Sequence, residues 1–285
     1  MRLPSSGPVA LLTCAGRHWA ANNASATGAA LAFYCAFSIA PLLVILLTLA
    51  GWFVGAEVAQ VQVSGQLTAL FGPATARTLL AAVESSQETE GIVSTVVSIV
   101  TLLIGASTVL AALDAALEKI WKSEAMVPHG VRGWIRTRLL SFGFILTLGF
   151  LLLVSLTIST ALAGLRERIA ERHEAIVGLV GALDFTAALV LVSLLFAAIY
   201  RYMPARRLPW RIVIAGGVLT AILFNLGRWG IGLYLARSTQ PSAFGAAASF
   251  AALLLWLYYS AQIFLFGAEF TACMAGIRER VPDTE

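Results

Sequence analysis

Leu31-Ala-Phe-Tyr-Cys-Ala-Phe-Ser-Ile-Ala-Pro41-Leu-Leu-Val-Ile-Leu-Leu-Thr-Leu-Ala-Gly-Trp52 is the centre of a run, Trp19 to Ala56, in which thirty-eight residues pass without a formal charge. A hydrocarbon layer ~30 Å thick is crossed by about 20 apolar residues rising ~1.5 Å each, so this run spans a bilayer with residues to spare. Gly28, Ala32, Ala36 and Ala40 recur every fourth residue, which places four small side chains on one helical face and lets another helix approach closely. Pro41 lacks an N–H and crowds the preceding turn, so a kink is expected near Ile39-Ala40, with Ser38 placed to satisfy the freed backbone. A helix-packing face with a tolerated proline and a functional hinge both fit this pattern.

Outward from that run, the composition sets the class. With 59% hydrophobic residues, 12% charged residues and a mean hydropathy of +0.85, the chain lies far outside the range of soluble domains. Its 285 residues suffice for six spans with short connections. The expectation is an all-α, polytopic membrane domain covering 1–285, with spans at about 31–55, 91–113, 139–163, 178–200, 212–235 and 245–269. The connection 57–90 is expected to hold two short amphipathic helices at the outer surface, Val58 to Leu70 and Ala74 to Val83, broken at Phe71-Gly-Pro73, with Leu79, Leu80 and Val83 on one face.

The short apolar run Val9 to Ala15, ending at Arg17-His18, is too short and too poorly flanked for a cleaved signal, and is expected to be retained. Cysteines stand far apart at 14, 35 and 273; their number is odd, no CxxC occurs, and Cys35 lies in a span. That reading supports neither a disulfide framework nor a zinc site. No nucleotide, cofactor or metal motif is present, so the expectation is no cofactor and no metal.

Lysines and arginines set the orientation. With Met1 cytoplasmic, the inner segments carry thirteen of them and the outer segments six, which predicts that both ends face the cytoplasm of a bacterial inner-membrane protein. The basic turn with Arg201, Arg206, Arg207 and Arg211 is a candidate contact for anionic lipid, although topology alone asks for basic residues there. The expected partners are the bilayer and anionic lipid, with the small-residue face either joining a second copy of the chain or packing within one chain; nucleic acid is not among them.

Charge inside a span costs roughly 2.5–3.5 kcal/mol at mid-depth, so each such group needs a partner or a water-lined cavity. Helical spacing sorts them into two layers. Asp114 and Glu269 fall near the inner boundary, while Asp184 and Arg228 each lie seventeen residues above a basic residue of the inner turn, about 25 Å up their helices. Equal depth on consecutive antiparallel spans predicts an Asp184–Arg228 ion pair, serving either as a structural salt bridge or as a substrate or proton site. Asn225, one turn below Arg228, could bond either side of it, and Tyr34 lies deep enough in its span to need a hydroxyl partner.

Several motifs together resemble the YihY/BrkB family of bacterial inner-membrane proteins, some of whose members were once labelled ribonuclease BN. They are Leu31-Ala-Phe-Tyr with Ser38-Ile-Ala-Pro41-Leu, Leu113-Asp114-Ala-Ala-Leu-Glu118-Lys-Ile-Trp121, Tyr200 with Pro204, Gly227-Arg228-Trp-Gly230 with Tyr234, and Trp256-Leu-Tyr258 with Phe266-Gly267-Ala268-Glu269. The resemblance covers nearly the whole chain and implies a six-span membrane fold and a link to survival in serum. Glu118 stands where such proteins often carry Asn, Phe244-Gly245 where Tyr-Gly opens the last span, and Asp184 matches no family position.

Three functions follow as expectations. The first is a transporter or flippase for an anionic amphiphile or small solute, using a cavity between spans one, two, five and six and the candidate residues Asp114, Asp184, Asn225, Arg228, Glu269 and Tyr34. The second is an envelope structural or interaction protein without transport. The third, an intramembrane hydrolase or ribonuclease, is disfavoured because His18, His129 and His173 fall in three segments without ligand spacing. The chain is therefore not expected to be an enzyme.

Overall fold

In the computed structural model the described residues are 7–87, 108–109, 111–122, 174–204, 206, 208–237 and 245–277, and every regular element among them is an α-helix. In chain order these are α1 (Pro8–Ala21), α2 (Ala24–Val54), α3 (Ala56–Gln87), α4 (111–121), α5 (Glu174–Tyr202), α6 (Trp210–Arg237) and α7 (Gly245–Met274). The predicted span 139–163 and nearly all of 91–113 lie outside the described residues.

Among the described residues three helices are long and apolar enough to cross a membrane, over Phe185–Tyr202, Trp210–Gly230 and Phe250–Met274, and α2 contains a shorter apolar helix, Ala24–Ile39. These windows fall on the last three predicted spans. Phe33, Phe37, Phe185, Leu194, Leu226, Trp229 and Leu255 are large apolar side chains exposed on these helices. In water such surface would be an aggregation liability, whereas lipid tails are as apolar as the side chains themselves.

The helix that organises the described bundle is α7, which packs against α1, α2, α3 and α6. Two cores divide its length. One end, here called basal, buries Phe264, Leu265, Ala268 and Ala272 with Leu117, Trp121, Ala197, Tyr200 and Val213. The other, apical, buries Leu253 and Trp256 with Leu43, Val63, Leu67, Ala76, Leu79 and Val83.

An N-terminal helix, α1, was not anticipated. Pro8 opens it, where a missing N–H is no loss, and Asn22 and Asn23 turn the chain into α2, with Asn23 left-handed at φ 57°. At the other basal terminus, the N–H of Ile277 bonds the Ala272 carbonyl at 3.1 Å around Gly276 at φ 68°, an arrangement that closes α7.

The predicted outer connection takes a different form. Helix α3 contains Pro73, and Gln60 Nε2 donates to Glu84 Oε1 at 3.3 Å. Twenty-four residues of straight helix would hold these two about 36 Å apart, so α3 doubles back near Phe71-Gly72-Pro73. The break is where the sequence places it, but the arms do not lie across the surface. They pack beside α2 and α7, against Leu43 and Trp256, each eleven residues or about 16 Å below the apical end of its helix. Burial of Val63, Leu67, Leu79 and Val83 is the physical reason: two amphipathic arms have more apolar surface to bury along the bundle than across its end.

Helices α5 and α6 form a close antiparallel pair. A Cβ at Gly217 would stand 2.4 Å from the Ser193 carbonyl oxygen, so backbone meets backbone there and only glycine fits. The short turn that follows α5 is closed by Arg201, which donates to the Leu208 carbonyl and lies over the Trp210 ring at 5.6 Å.

Candidate functional site

The polar groups of the bundle gather at its basal end. Glu269 is fully buried on α7 and accepts a hydrogen bond from Asn22 Nδ2 at the α1–α2 turn. The Asn22 carbonyl in turn accepts from Lys119 Nζ of α4 at 2.8 Å, so three separate stretches of chain meet around one carboxylate. Two residues along α7, Thr271 accepts from Trp121 Nε1 at 3.2 Å and donates to the Ala268 carbonyl at 2.6 Å. Trp121 stands edge-on to Tyr200, whose hydroxyl donates to the Phe264 carbonyl at 2.8 Å and lies 3.0 Å from the Thr220 hydroxyl. Gly267 makes room for this contact, since a Cβ there would overlap the Thr220 and Tyr200 hydroxyls.

Asp114 lies on the neighbouring helix α4, just past the predicted second span, and is half-buried. Its Oδ1 is enclosed and has no hydrogen-bond partner among the described residues. Burial first, and the nearby Glu118 carboxylate second, push its carboxyl up to about 6.

The other candidates are dispersed. Arg228 is exposed on α6, well away along the chain from the basal group, and the Asp184 side chain lies outside the described residues, so the expected ion pair does not enter the description. Asn225 turns back to donate to the Ala221 carbonyl of its own helix at 2.8 Å. Tyr34 is half-buried with its ring edge against Phe33 at 6.2 Å. Of the residues expected in one interior, Glu269 is enclosed, Asp114 is half-buried and Arg228 is exposed.

On α2, Gly28, Ala32 and Ala36 are buried, and Gly28 lies so close to Gln262 of α7 that any Cβ would overlap its amide. Part of the small-residue face therefore meets a helix of the same chain. The helix continues through Pro41; the Ala40 and Pro41 side chains lie outside the described residues. Ser38 does not serve the carbonyl that Pro41 leaves free, which belongs to Phe37; its hydroxyl donates to the Tyr34 carbonyl at 2.9 Å. In the basic turn Arg201 is engaged as described above, Arg206 and Arg211 are exposed, and Arg207 lies outside the described residues.

A cavity of about 330 Å³ opens at the apical end between α2 and the α3 hairpin. Leu47, Gly51, Trp52, Leu80 and Val83 line it, with Gln60 and Glu84 as its polar members. It is not the expected cavity between spans one, two, five and six.

The reading of the cysteines is overturned. Cys14 and Cys273 form a disulfide across 259 residues of sequence, and Cys35 remains free. His18 Nδ1 lies 3.6 Å from Cys14 Sγ and 4.0 Å from Cys273 Sγ. A signal was available: Cys14 and His18 are four residues apart and share a face once α1 is recognised as a helix. Their partner on α7 could not be found by spacing.

Known proteins place the chain among membrane proteins. A UPF0761 membrane protein of Alkalilimnicola ehrlichii is 33% identical over 183 residues, covering 64% of this chain and 39% of that relative. One of Nitrosospira multiformis is 33% identical over 192 residues, covering 65% and 42%. One of Enterobacter sp. (strain 638) is 34% identical over 185 residues, covering 62% and 58%. The chain thus spans well under two thirds of the length of these curated relatives. No solved structure matches it. Apolar helices of spanning length and relatives named as membrane proteins identify a multi-pass membrane protein, and neither the relatives' names nor the family's description assigns a reaction. With residues 15–284 matching its family model, this chain belongs to the family described as virulence factor BrkB.

Proposed function

We propose that the protein is a transport-related inner-membrane protein with six spans and both ends cytoplasmic, moving an anionic amphiphile or a small solute. The observation that carries this reading is Glu269, an ionisable side chain fully buried in a helix long and apolar enough to cross a membrane. Carboxylates kept at such positions mark ion, proton or substrate paths, because their insertion is costly and a purely apolar replacement would pack without that cost. The α3 hairpin supports the reading too, since it reaches into the bundle beside a cavity that opens at the opposite end from Glu269. Asp114, in the adjoining α4, is the second candidate on the path, and the exposed Arg206 and Arg211 are the candidate contacts for an anionic head group.

The test is the purified protein in liposomes of mixed zwitterionic and anionic lipid. Movement of labelled anionic lipid or of a small anion above that of protein-free vesicles is expected. If neither lipids nor small anionic and cationic solutes move, the envelope structural role without transport takes its place.

A further inference from the structure

The cluster formed by Cys14, His18 and Cys273 has no part in the reading above and does not depend on it. Cys14 and His18 stand one turn apart on α1 and face Cys273 in the last turn of α7, so two helices contribute the three donors. All three donor atoms lie within 4.8 Å of one another. Cys273 is buried and the other two are half-buried, so the group is enclosed yet reachable from the outer side of α1.

We infer that, in its reduced form, Cys14, His18 and Cys273 bind a thiophilic divalent cation of the Zn²⁺ class. Two thiolates and an imidazole are a donor set that Zn²⁺ takes, at about 2.3 Å to sulfur and about 2.0–2.1 Å to nitrogen, which places tetrahedral donors about 3.5–3.8 Å apart. The Cys14–His18 separation of 3.6 Å already has that value, and the 4.0 Å of His18 to Cys273 is close to it. Only the two sulfurs must part, which breaking their bond permits. His18 Nδ1 now lies 2.9 Å from the Cys14 carbonyl oxygen, so coordination either replaces that hydrogen bond or uses Nε2. A fourth position remains for water.

The chemistry balances without further agents than a thiol reductant. Two electrons and two protons from two reductant thiols cleave the Cys14–Cys273 bond to two thiols, and the reductant leaves as its own disulfide. Binding the cation then releases the two thiol protons. Thirteen of nineteen lysines and arginines place this end in the cytoplasm under the proposed topology, where thiols are kept reduced. The site also adjoins the buried carboxylate, because Asn22 is four residues beyond His18 and Glu269 four before Cys273. Disulfide and cation are therefore alternative ways of pinning α1 against α7 beside Glu269.

Cobalt titration of the full chain in detergent tests this, after reduction and removal of the reductant. The reduced protein, with three free thiols, is expected to bind one Co²⁺ with a thiolate-to-cobalt absorption band that Zn²⁺ abolishes. Cys14→Ser, Cys273→Ser and His18→Ala are expected to weaken binding by at least the roughly 10–100-fold that loss of an outer partner costs, while Cys35→Ser leaves it unchanged. Protein oxidised at Cys14 and Cys273 is expected to bind none. Because a variant can fail to fold, alkylation of the unmutated reduced protein serves as the second readout, with Zn²⁺ expected to protect Cys14 and Cys273 but not Cys35. Reduced protein that binds no cobalt, binding that survives the loss of Cys14 and Cys273, or alkylation that Zn²⁺ does not slow would each overturn the inference.

Discussion

At the scale of single residues, Glu269 and Asp114 behave differently because their surroundings differ. Glu269 is fully buried and held by Asn22, so replacing it with the neutral isostere keeps a hydrogen-bonding group in place while removing the ionisable carboxyl. Glu269→Gln is expected to leave the melting temperature in detergent unchanged or raised, whereas Glu269→Ala, which leaves the Asn22 amide without this acceptor, is expected to lower stability by about 1–3 kcal/mol. Thermal unfolding monitored by circular dichroism separates the two. Asp114 holds its proton more tightly in the folded chain than in the unfolded one, with its carboxyl raised from 3.8 to about 6. Its contribution is therefore complete below pH 3.8 and is lost as pH rises through about 6. Asp114→Asn is expected to flatten the stability profile across that window and to stabilise the protein at neutral pH by on the order of 1 kcal/mol. Both carboxylates were legible in the sequence as charges at the ends of apolar runs. Their partners were not, since Asn22 and Glu269 lie 247 residues apart and no local pattern links them.

At the scale of elements, close approach is decided by glycine. The Gly216-Gly217 pair in α6 faces two helices at once: Gly216 meets Thr271 of α7, and Gly217 meets the Ser193 carbonyl of α5. A methyl at Gly216 would overlap the buried, hydrogen-bonded Thr271 side chain, and one at Gly217 would overlap the Ser193 carbonyl oxygen. Gly216→Ala and Gly217→Ala are accordingly each expected to cost about 1–3 kcal/mol of overpacking, read as a lower melting temperature. The α3 hairpin offers a second test. Cysteines introduced at Gln60 and Glu84 in a background lacking the native three are expected to crosslink with a short bifunctional reagent, which two helices lying apart on the surface would not permit. The sequence shows the break at Phe71-Gly-Pro73 and the apolar face of Leu79 and Val83. It does not show which surface that face meets, because an amphipathic helix reads the same whether it lies on a membrane surface or beside another helix. Helix α1 was missed for a related reason: its apolar run is short and its stability comes from packing on α7 rather than from its own pattern.

For the whole molecule, composition and the long uncharged runs made a multi-pass helical membrane protein legible from the start, and the windows Phe185–Tyr202, Trp210–Gly230 and Phe250–Met274 agree with the last three predicted spans. Connectivity between layers was less legible, since depth arithmetic fixes height along a helix but not which way a side chain faces. Arg228 is the example: its height was inferred, yet it is exposed rather than enclosed with Glu269. Under the proposed topology, with both ends cytoplasmic, a cysteine introduced at exposed Trp52 is expected to react with an impermeant maleimide added to intact cells, and one at exposed Arg206 only after the membrane is opened. The most direct measurement is solute or lipid flux in proteoliposomes carrying the native protein, Glu269→Gln, or Arg228→Gln, each checked for an intact fold. Flux that is lost in Glu269→Gln and kept in Arg228→Gln is the expected result; equal flux in native and Glu269→Gln protein would contradict the placing of function at the buried carboxylate.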